Sequence, residues 1–487
     1  MSVTPSADGR HLSDGLVAGR LDDAQYDQHF SDAHPPLTRA QALVEAERCY
    51  YCFDAPCTQI CPTGIDIPSF IHRIAQENLR GAAQTILESN PLGGMCARVC
   101  PTEQLCERDC VRMAKDGKPV EIGLLQRFAT DAHFENPGAP LFQRAASTGR
   151  RIAVVGAGPA GLACAHGLAR RGHEVFLYEA RPKLGGLNEY GLATYKTVDQ
   201  YAQREIDWLL SIGGITPRCD QQLGRDFTLD GLLASHDAVF LGLGLGGVNA
   251  LGIAEPALPG LMNAVDFIAT LRQNAPATVP VGRRVVVVGG GMTAVDAAVQ
   301  ARLLGAEEVS IVYRRGRESM SASTVEQDWA LKNGVRLLTW MAPVAVEGEG
   351  GHLTGVQVAR TLMNDGKLQL TEDHLHLPAD MVLKAIGQSF LPQPLGDALE
   401  RRAGRILTDE DGRTSLSRVW AGGDCRFGGQ DLTVEAVEHG KRAAVSIDAD
   451  LRMNATHAPG SGTALAAAGA ASAASAASAA SVVGLSA

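Results

Sequence analysis

The feature that most constrains this chain is a dense block of cysteines near its N-terminus. Eight of the eleven cysteines lie between Cys49 and Cys110. They form the runs Cys49-x2-Cys52-x4-Cys57-x3-Cys61-Pro62 and Cys96-x3-Cys100-Pro101-x4-Cys106-x3-Cys110. Several thiolates on short loops are what a [4Fe-4S] cluster requires, and the first run resembles the compact spacing of ferredoxins. The block therefore predicts a small domain that holds iron–sulfur clusters.

Other roles for these cysteines fit the sequence less well. Disulfides are disfavoured because no secretion signal precedes the block and a reducing cytosol keeps thiols free. Structural zinc usually takes paired C-x2-C units, and only one such pair is present. The isolated Cys164, Cys219 and Cys425 are expected to be buried thiols without a ligand role.

Composition narrows the class of protein. A length of 487 residues predicts several domains. The formal charge of −10 argues against nucleic acid as a partner, because phosphate binding needs a basic face. No apolar run reaches the length of a membrane span and the first residues lack the apolar core of a signal peptide, so we expect a cytoplasmic protein with no membrane partner.

The segments around the cysteine block have weaker patterns. Residues 1–36 are polar and predict a flexible arm, and the Ala/Ser-rich residues 453–487 predict a disordered tail. A helix is expected from Leu37 into Cys49. Between the two cysteine runs we expect two helices separated near Gly81 and ended by Asn90-Pro91 and Gly93-Gly94.

A dinucleotide-binding fingerprint begins at Arg151. The strand RIAVV leads into a glycine turn, a helix and the strand EVFLYEA, which reaches Glu179. Glycines let the backbone approach a pyrophosphate at a helix N-terminus, and an acid at the end of the second strand accepts from ribose hydroxyls. The predicted contacts are Gly156, Gly158, Pro159, Ala160, Gly161 and Glu179.

The same unit recurs at Arg283. Its predicted contacts are Gly289, Gly290, Gly291, Met292 and Thr293. Tyr313 takes the slot that Glu179 holds in the first copy, and Arg314 and Arg315 follow it. Arginine there accommodates a 2′-phosphate, so the second site favours NADPH over NADH, unless these arginines are only a solvated strand end.

A third motif indicates which of the two folds binds the flavin. The strand VWAGGD supplies Gly423 and Asp424, and Thr433 lies near the start of a helix expected within residues 431–444. Asp424 suits a ribityl hydroxyl, and the helix start offers amide dipoles to the pyrimidine edge of a flavin. The first fold is therefore expected to bind FAD, and the second to be an insertion that splits it.

The order of these motifs, cysteine block, GAGPAG, EARPKLGGL, GGGMTA, YRR and GGD, resembles the NAD(P)H-accepting half of dihydropyrimidine dehydrogenases. It resembles the small subunit of bacterial glutamate synthase equally, and the likeness covers residues 37 to about 452. The resemblance implies an α/β protein with an N-terminal α-helical iron–sulfur domain and two Rossmann-like domains, the NAD(P)H domain inserted in a split FAD domain. The expected boundaries are 37–145 for the cluster domain, 146–255 and 386–452 for the FAD domain, and 256–385 for the NAD(P)H domain.

The resemblance also implies site residues. One [4Fe-4S] cluster would be bound by Cys49, Cys52, Cys57 and Cys110, and a second by Cys61, Cys100, Cys106 and Gln126, which leaves Cys96 spare. Glutamate synthases carry a glutamate in the slot of Gln126, so the glutamine favours the pyrimidine enzymes. Further implied flavin contacts are Gly185, Gly186, Leu187 and Lys196, and the implied nicotinamide contacts are Ala385, Ile386 and Gly387. Ser321 replaces a basic residue that follows the YRR run in the family, which weakens the preference for NADPH.

The function that follows from this resemblance is electron input. The chain is expected to oxidise NAD(P)H with FAD and to pass electrons through two [4Fe-4S] clusters to an FMN-containing dihydropyrimidine dehydrogenase subunit, in a heterodimer or heterotetramer. No side chain is expected to act as a catalytic acid, base or nucleophile. The alternatives are a glutamate synthase small subunit, a general NAD(P)H:ferredoxin-type reductase, or a non-catalytic redox-sensing or assembly module.

Overall fold

The computed structural model describes residues 4–5, 11–12 and 15–456. Its helices, in chain order, are α1 (Asp23–His29), α2 (Arg39–Glu47), α3 (Pro56–Ile60), α4 (Ile67–Ala75), α5 (Leu79–Ser89), α6 (Gly93–Val99), α7 (Val111–Asp116), α8 (Ile122–Glu135), α9 (Pro159–Arg170), α10 (Leu187–Tyr190), α11 (Tyr201–Leu210), α12 (Leu229–Ser235), α13 (Ala264–Gln273), α14 (Met292–Leu303), α15 (Thr324–Lys332) and α16 (Thr433–Thr456).

The strands belong to two parallel sheets, one antiparallel sheet and several short pairs. In chain order they are β1 (Thr4–Pro5), β2 (His11–Leu12), β3 (Arg151–Val155), β4 (Glu174–Tyr178), β5 (Ile215–Arg218), β6 (Ala238–Leu241), β7 (Gly247–Val248), β8 (Leu261–Asn263), β9 (Arg284–Val288), β10 (Glu308–Tyr313), β11 (Arg336–Thr339), β12 (Met341–Glu349), β13 (His352–Asn364), β14 (Lys367–Pro378), β15 (Met381–Lys384), β16 (Gln388–Ser389), β17 (Arg401–Arg402), β18 (Arg405–Ile406) and β19 (Val419–Ala421).

The cysteines lie in a helical domain whose core is formed by α2, α4, α5 and α8. Each helix contributes a buried apolar face, with Ala42, Phe70, Ile86 and Leu125 fully buried. Helical spacing of these residues drives the packing. The cysteines occupy the connections around this core, and five of them pack against it.

One predicted helix boundary in this domain is wrong. The break expected near Gly81 lies at residues 76–78, between α4 and α5, because Asn78 caps α5 by accepting from the Gly81 amide at 2.9 Å, and α5 ends before Asn90 as expected. Gly93 and Gly94 begin α6 instead of ending a helix. A Cβ on Gly94 would lie 1.9 Å from Tyr201 Oη, so this glycine serves close packing between helices.

The first nucleotide domain is a five-stranded parallel sheet of order β19-β6-β3-β4-β5. Strand β19 pairs with β6 through Val419 opposite Val239, although the whole second nucleotide domain separates them along the chain. Helices α9 and α16 cover one face with a continuous apolar core. This pairing shows that the first domain is split and that the second is inserted into it.

The second nucleotide domain has a parallel sheet of order β11-β10-β9-β15-β8. Its central strand β9 is almost wholly apolar and buried, as expected for a strand covered on both faces. The antiparallel sheet β12-β13-β14 is inserted between β11 and β15, and Val356 and Val358 of β13 are fully buried against the parallel sheet.

The predicted flexible arm is wrong for the part that the structure describes. Val17 exchanges two backbone hydrogen bonds with Val281, and Tyr26 of α1 is buried in the core of the second nucleotide domain. A capping box between Asp22 and Gln25 begins α1. The segment reads as polar because its few apolar residues are widely spaced, but Leu16, Leu21, Tyr26, Phe30 and Ala33 all pack in the core of one domain.

The C-terminal helix is longer than the sequence predicted. Helix α16 continues to Thr456, beyond the predicted end at residue 444, and residues 453–456 of the predicted tail belong to it. The rest of the predicted tail, 457–487, lies outside the described residues. Within the described ranges, no helix is both long and apolar enough to span a membrane.

Candidate functional site

The eight clustered cysteines fall into two groups of neighbours, which adjoin where Cys57 lies near Cys106. We call Cys49, Cys52, Cys57 and Cys110 the outer group and the other four the inner group. In the outer group, burial and then the adjacent Cys110 and Cys52 thiols raise the pKa of Cys49. Burial, followed by Cys110 and Cys49, raises the pKa of Cys57 to about 12. These four thiols are the set that the resemblance assigned to one cluster.

The inner group contains Cys61, Cys96, Cys100 and Cys106. A hydrogen bond with Cys96, then burial, then the neighbouring thiols of Cys106 and Cys61 raise the pKa of Cys100 well above its usual value. Burial is also the main cause of the raised pKa of Cys106. Cys96, which the resemblance left spare, is therefore a direct neighbour of this group.

All eleven cysteines are free thiols. Among the described residues, no three His, Cys, Asp or Glu side chains close around one metal-ion position. The fit to clusters therefore depends on the grouping of the thiols and on their donor chemistry, since thiolates on short loops suit iron. Of the isolated cysteines, Cys164 and Cys425 are buried as predicted, whereas Cys219 is only half-buried.

Gln126 lies on α8 next to the start of α6. Its side chain is buried, and Nε2 donates to Gly93 O at 2.6 Å. This bond identifies the amide nitrogen, so Oε1 is left as an acceptor, and no hydrogen bond reaches it from the described residues.

The glycine turn after β3 has the close approaches that a pyrophosphate site needs. Gly156 has φ +94°, and a Cβ there would lie 2.2 Å from Gly242 O. A Cβ on Gly186 would lie 2.6 Å from Gly158 Cα, so the two loops touch through their backbones. Pro159 is the first residue of α9, and Ala160 and Gly161 complete its first turn. The predicted residues are thus together at one helix N-terminus.

Glu179 follows β4 and bends back toward the same turn. Its Oε2 accepts from the Ala157 amide at 2.9 Å and its Oε1 from the Arg181 amide at 3.0 Å. The carboxylate is buried, and burial raises its pKa despite these two bonds. Both carboxylate oxygens are thus fixed by backbone amides, one of them in the glycine turn itself.

Asp424 lies at the C-terminal end of β19, opposite the first glycine turn. A Cβ on Gly423 would lie 3.0 Å from Ala160 Cβ. The Asp424 carboxylate accepts no hydrogen bond from the described residues, and burial raises its pKa to about 6. An unsatisfied carboxylate in this position fits a ligand hydroxyl.

Two residues that the sequence did not single out hold this part of the site. The Gly423 amide donates to His439 Nδ1 at 3.3 Å, and burial lowers the pKa of His439 to about 4, which keeps that nitrogen an acceptor. Thr433 Oγ1 donates to Asn188 Oδ1 at 3.2 Å, which joins the start of α16 to α10, the helix that follows Gly186. Only tertiary packing identifies His439 and Asn188, because both stand in ordinary helical sequence.

The second glycine turn is shaped by aromatic packing. Gly289 has φ +148°, and a Cβ there would lie 2.1 Å from Ala385 O. The Tyr313 ring leaves no room for a Cβ on Gly290, and its hydroxyl donates to Ser319 O at 2.6 Å. Met292 and Thr293 begin α14. Ser321 reaches the turn as well, since a Cβ on Gly291 would lie 3.2 Å from its Oγ.

The three arginines after β10 differ in whether their side chains bond to other residues. Arg314 and Arg315 are exposed, and their guanidinium groups make no hydrogen bond or ion pair with the described residues. Arg317 is engaged instead, since it donates to Gln327 Oε1 and Asp328 Oδ1, each at 2.9 Å. Arg314 and Arg315 are therefore available to an anion beside the second turn.

The segment predicted at the nicotinamide follows β15. Ala385 lies against Gly289, as the contact above shows, and its amide donates to Val288 O at 2.8 Å. Asn249 Nδ2 donates to Ile386 O at 3.2 Å, and the Asn249 amide donates to Gly387 O at 3.1 Å. The loop is thus fixed where the chain crosses from the second domain back to the first.

The resemblance implied that Lys196 contacts the flavin, but in the structure its side chain is engaged with the second nucleotide domain. Its Nζ is paired with Asp296 Oδ1 at 2.8 Å and Glu326 Oε1 at 2.7 Å, both in the second nucleotide domain. Burial alone would lower the pKa of Lys196, but the two carboxylates raise it. The side chain joins the two nucleotide domains, a role that the sequence does not reveal because its two partners lie 100 and 130 positions further along the chain.

Comparison with known proteins agrees with this architecture. A family model described as dihydropyrimidine dehydrogenase domain II, 4Fe-4S cluster, matches residues 26–137, and one described as pyridine nucleotide-disulphide oxidoreductase matches residues 150–440. The NAD-dependent dihydropyrimidine dehydrogenase subunit PreT of Escherichia coli is 34% identical over 419 residues, which cover 86% of this chain and 96% of that protein. The glutamate synthase [NADPH] small chain of Escherichia coli is 32% identical over 445 residues, 86% of this chain and 93% of that protein.

Solved structures show the same fold at greater distance. FprA from Mycobacterium tuberculosis superimposes with a TM-score of 0.55 at 19% identity, over 63% of this chain and 86% of that one. The predicted fold class is confirmed by these matches and by the strand order. The chain belongs to the family of FAD- and 4Fe-4S-dependent NAD(P)H oxidoreductases that includes dihydropyrimidine dehydrogenase subunits and glutamate synthase small chains.

Proposed function

We propose that this chain is the electron-input subunit of a dihydropyrimidine dehydrogenase. It exchanges electrons between NAD(P)H and an FMN-containing partner that acts on uracil, thymine or their 5,6-dihydro forms. Bound FAD supplies the chemistry that side chains lack, because a flavin accepts two electrons together and releases them singly. The residues of the chain bind, orient and shield these carriers.

The observation that carries this proposal is that the cysteine domain packs against the first nucleotide domain. Lys441 Nζ of α16 donates to Thr63 O at 3.1 Å, two residues after Cys61. Glu205 of α11 accepts from the amides of Gly94 and Met95 at the start of α6. The inner thiol group therefore lies beside the domain that carries the flavin-type turns, as electron passage between them requires.

Two [4Fe-4S] clusters are assigned on the same grounds. We assign Cys49, Cys52, Cys57 and Cys110 to the outer cluster, and Cys61, Cys100, Cys106 and Gln126 to the inner one. The amide orientation of Gln126 supports its oxygen as the fourth inner ligand. This glutamine also supports the pyrimidine enzyme over glutamate synthase.

The flavin site would use residues from both parts of the split domain. Gly156, Gly158 and Gly186 admit the pyrophosphate, Glu179 accepts from the adenosine ribose, and Asp424 accepts from the ribityl chain. The N-terminus of α16, at Thr433, directs amide dipoles to the site and favours negative charge there. Gly185 and Leu187 complete the loop, whereas Lys196 acts between domains.

The coenzyme site would use the second turn. Gly289 to Thr293 receive the pyrophosphate, and Ala385 to Gly387 lie where the nicotinamide must approach the first domain. Arg314 and Arg315 are unengaged and suit a 2′-phosphate, so we propose NADPH as the preferred coenzyme. The relatives named above include an NAD-dependent and an NADPH-dependent protein, so a direct comparison of coenzymes is required.

The test is anaerobic purification of the chain from its source cells with whatever remains bound. We expect an FMN-containing subunit, and we expect the complex to reduce uracil or thymine with NADPH more efficiently than with NADH. The isolated, FAD-loaded chain should still oxidise NAD(P)H with ferricyanide. A Cys57→Ser chain serves as a control that should keep FAD but lose electron delivery to the partner.

The contrary outcomes are distinct. A large amidotransferase-bearing partner, with glutamate formation from glutamine and 2-oxoglutarate, would make the chain a glutamate synthase small subunit. A flavin that NAD(P)H does not bleach would exclude an enzymatic role for the chain itself.

A further inference from the structure

The turn that follows Cys61 places a hydroxyl against its sulfur. Residues Cys61 to Gly64 form a β-turn, in which the Gly64 amide donates to Cys61 O at 2.9 Å. Pro62 and Gly64 occupy the second and fourth positions, which these residues favour in such turns. Thr63, at the third position, has its Oγ1 hydrogen-bonded to Cys61 Sγ at 3.4 Å. The local sequence therefore builds a hydroxyl group into the surroundings of this thiol.

The hydrogen bond has one direction when Cys61 binds a cluster. A thiolate carries no proton, so its sulfur can only accept, and the Thr63 hydroxyl donates. That hydroxyl makes no other hydrogen bond with the described residues. Thr63 is only 5% exposed, and a hydrogen bond is electrostatically stronger in such surroundings than in water.

Thr63 has no counterpart at the other clustered cysteines. Elsewhere in the part of the chain that the structure describes, no side-chain hydroxyl bonds to one of the eight sulfurs. The Cys49 sulfur accepts from a backbone amide, that of Tyr51, at 3.4 Å. In the second Cys-Pro-Thr sequence, Thr102 hydrogen-bonds to Glu107 instead. The contact at Cys61 therefore distinguishes the inner group from the outer one.

Helix α16 of the first nucleotide domain fixes this turn. Lys441 Nζ donates to Thr63 O at 3.1 Å and pairs with Glu438 Oε2 at 2.8 Å. Since Glu438 compensates the charge of Lys441, the ammonium group acts on the turn chiefly by holding the Thr63 carbonyl. The direction of the Thr63 hydroxyl thus depends on a residue of the other domain.

The same part of α16 also contacts the predicted flavin site. A Cβ on Gly440 would lie 2.1 Å from Ala160 O, in the first turn of α9. His439 Nδ1 accepts from the Gly423 amide at 3.3 Å. Residues 439–441 therefore touch the flavin-type turns and the loop of the inner thiol group together.

We propose that Thr63 is a positioning residue that sets the reduction potential of the inner cluster, with its hydroxyl donating to the Cys61 sulfur and Lys441 holding it in that direction. This inference deepens the proposed function and rests on its assignment of the inner cluster. The step concerned moves one electron from the reduced flavin to that cluster, with no bond made or broken. The electron adds negative charge to the ligand sulfurs, so a donated hydrogen bond stabilises the reduced form and raises the potential.

The test is a redox titration of the anaerobically purified holo chain, followed by electron paramagnetic resonance. It compares wild type with Thr63→Val, which keeps the shape but lacks the donor, and with Thr63→Ser, which keeps the donor. Thr85→Val is the matched control, because the Thr85 hydroxyl of α5 donates to Gly81 O at 3.0 Å instead of to a sulfur. A Cys57→Ser chain identifies which of the two couples belongs to the outer group. Iron, FAD and FMN are measured in every preparation.

We expect Thr63→Val to make reduction of the inner cluster about tenfold less favourable, a fall of about 59 mV for a one-electron couple. Thr63→Ser should restore the wild-type potential, and Thr85→Val should shift neither couple. The outer couple, the iron content and the FAD content should stay unchanged in all three variants. An unshifted inner couple in T63V, an equal shift in T85V, or a potential that serine does not restore would overturn the proposal.

Lys441 gives a second test that leaves the cysteine loop unchanged. Lys441→Met should lower the inner potential in the same direction, and it should add nothing to Thr63→Val in the double variant, because Lys441 acts through Thr63. A further shift in the double variant would show that Lys441 acts by its own charge and would overturn its positioning role. If T63V loses iron, K441M alone decides, and an unshifted inner couple in K441M overturns the proposal.

Failure of the proposed function gives a different result. The FMN that copurifies with wild type tests the pyrimidine function, and its absence would leave a shift in T63V as support for the role of Thr63. If wild type holds iron for one cluster only, or if its inner cluster accepts no electron, the cluster assignment and the inference both fail. If both clusters are present and reducible and T63V matches wild type, only the inference fails.

Discussion

Asp424 is a carboxylate without a donor in a half-buried position. Burial, and then repulsion from Asp431, raises its pKa from 3.8 to about 6. The folded chain therefore binds this proton more tightly than the unfolded chain does. In flavin-free protein, Asp424 costs stability progressively as the pH rises from about 4 through 6, and the cost is complete above that range.

The first prediction concerns Asp424→Asn. Above pH 6 the flavin-free variant should be more stable than wild type by about 2 kcal/mol, because it lacks the buried charge, and the two should converge near pH 4. Its affinity for FAD should fall about tenfold or more, because a charge-assisted hydrogen bond is lost. Thermal unfolding at several pH values and flavin fluorescence titration measure both effects.

Asp411→Asn, on an exposed loop, is the control and should alter neither quantity. A D424N chain that binds FAD as tightly as wild type would exclude Asp424 from the flavin site.

At the scale of elements, α6 connects the cysteine domain to the first nucleotide domain. Glu205 Oε1 accepts from the Gly94 amide at 2.7 Å, Arg98 stacks 3.4 Å from the centroid of the Tyr201 ring, and Arg98 also pairs with Asp131 at 2.7 Å. Burial raises the pKa of Glu205 to about 8. The carboxyl is therefore protonated near neutral pH and still satisfies the helix N-terminus.

The second prediction concerns Glu205→Ala. Loss of the acceptor leaves two buried amides unsatisfied, which should destabilise the contact between α6 and α11 by about 2 kcal/mol. Hydrogen exchange at Gly94 and Met95 should accelerate, and the spectrum of the inner cluster should broaden as α6 loosens. Both effects can be measured on the holo protein.

Glu205→Gln is the matched control because it keeps an acceptor oxygen and resembles the protonated acid. Its stability relative to wild type should rise as the pH increases from about 4.5 to about 8, because wild type loses stability over that range and the glutamine cannot ionise. Equal hydrogen-exchange rates at Gly94 and Met95 in E205A and wild type would contradict the role of Glu205 in holding the start of α6.

At the scale of the whole molecule, a buried charge cluster is one of the contacts that join the two nucleotide domains, together with the hydrogen bond from Gln273 Nε2 to Glu189 Oε1 at 2.9 Å. Lys196 stands between Asp296 and Glu326, Tyr195 is buried in the core of the second domain, and the Thr194 amide donates to Gln300 Oε1 at 3.0 Å. Removal of one partner from a buried ion pair leaves an uncompensated charge.

The third prediction concerns Lys196→Met. Two facing carboxylates would remain, so the domain interface should weaken by about 3–5 kcal/mol. FAD content should stay unchanged, because Lys196 is committed to the interface, whereas bleaching of the flavin by NADPH should slow as the domains lose their fixed orientation. Stopped-flow absorbance and small-angle scattering measure the rate and the domain arrangement.

Lys196→Arg should restore much of the rate, and combining K196M with Asp296→Asn should recover stability relative to K196M alone. If K196M loses FAD while the stability of the domain interface stays at the wild-type value, Lys196 belongs to the flavin site and the prediction is wrong.

The sequence alone determined the order of domains, the fold class and most backbone positions of the turns. A glycine turn and its acid are specified locally, since the Ala157 amide that meets Glu179 is only 22 residues away and both lie in one strand-helix-strand unit. Cysteine spacing is equally local, so the two thiol sets could be inferred from a family pattern.

Tertiary structure decided which side chains join the domains. Lys196 and Glu326 are 130 residues apart, and Glu205 and Gly94 are 111 apart. Residues 15–36 are fixed by the core of the second nucleotide domain and by the ion pair of Asp32 with Arg127 in the cysteine domain. No local pattern records such contacts, because each side chain is ordinary in its own segment. Their energy arises only when two separately folded units exclude water between them, and that depends on the packing of the whole chain.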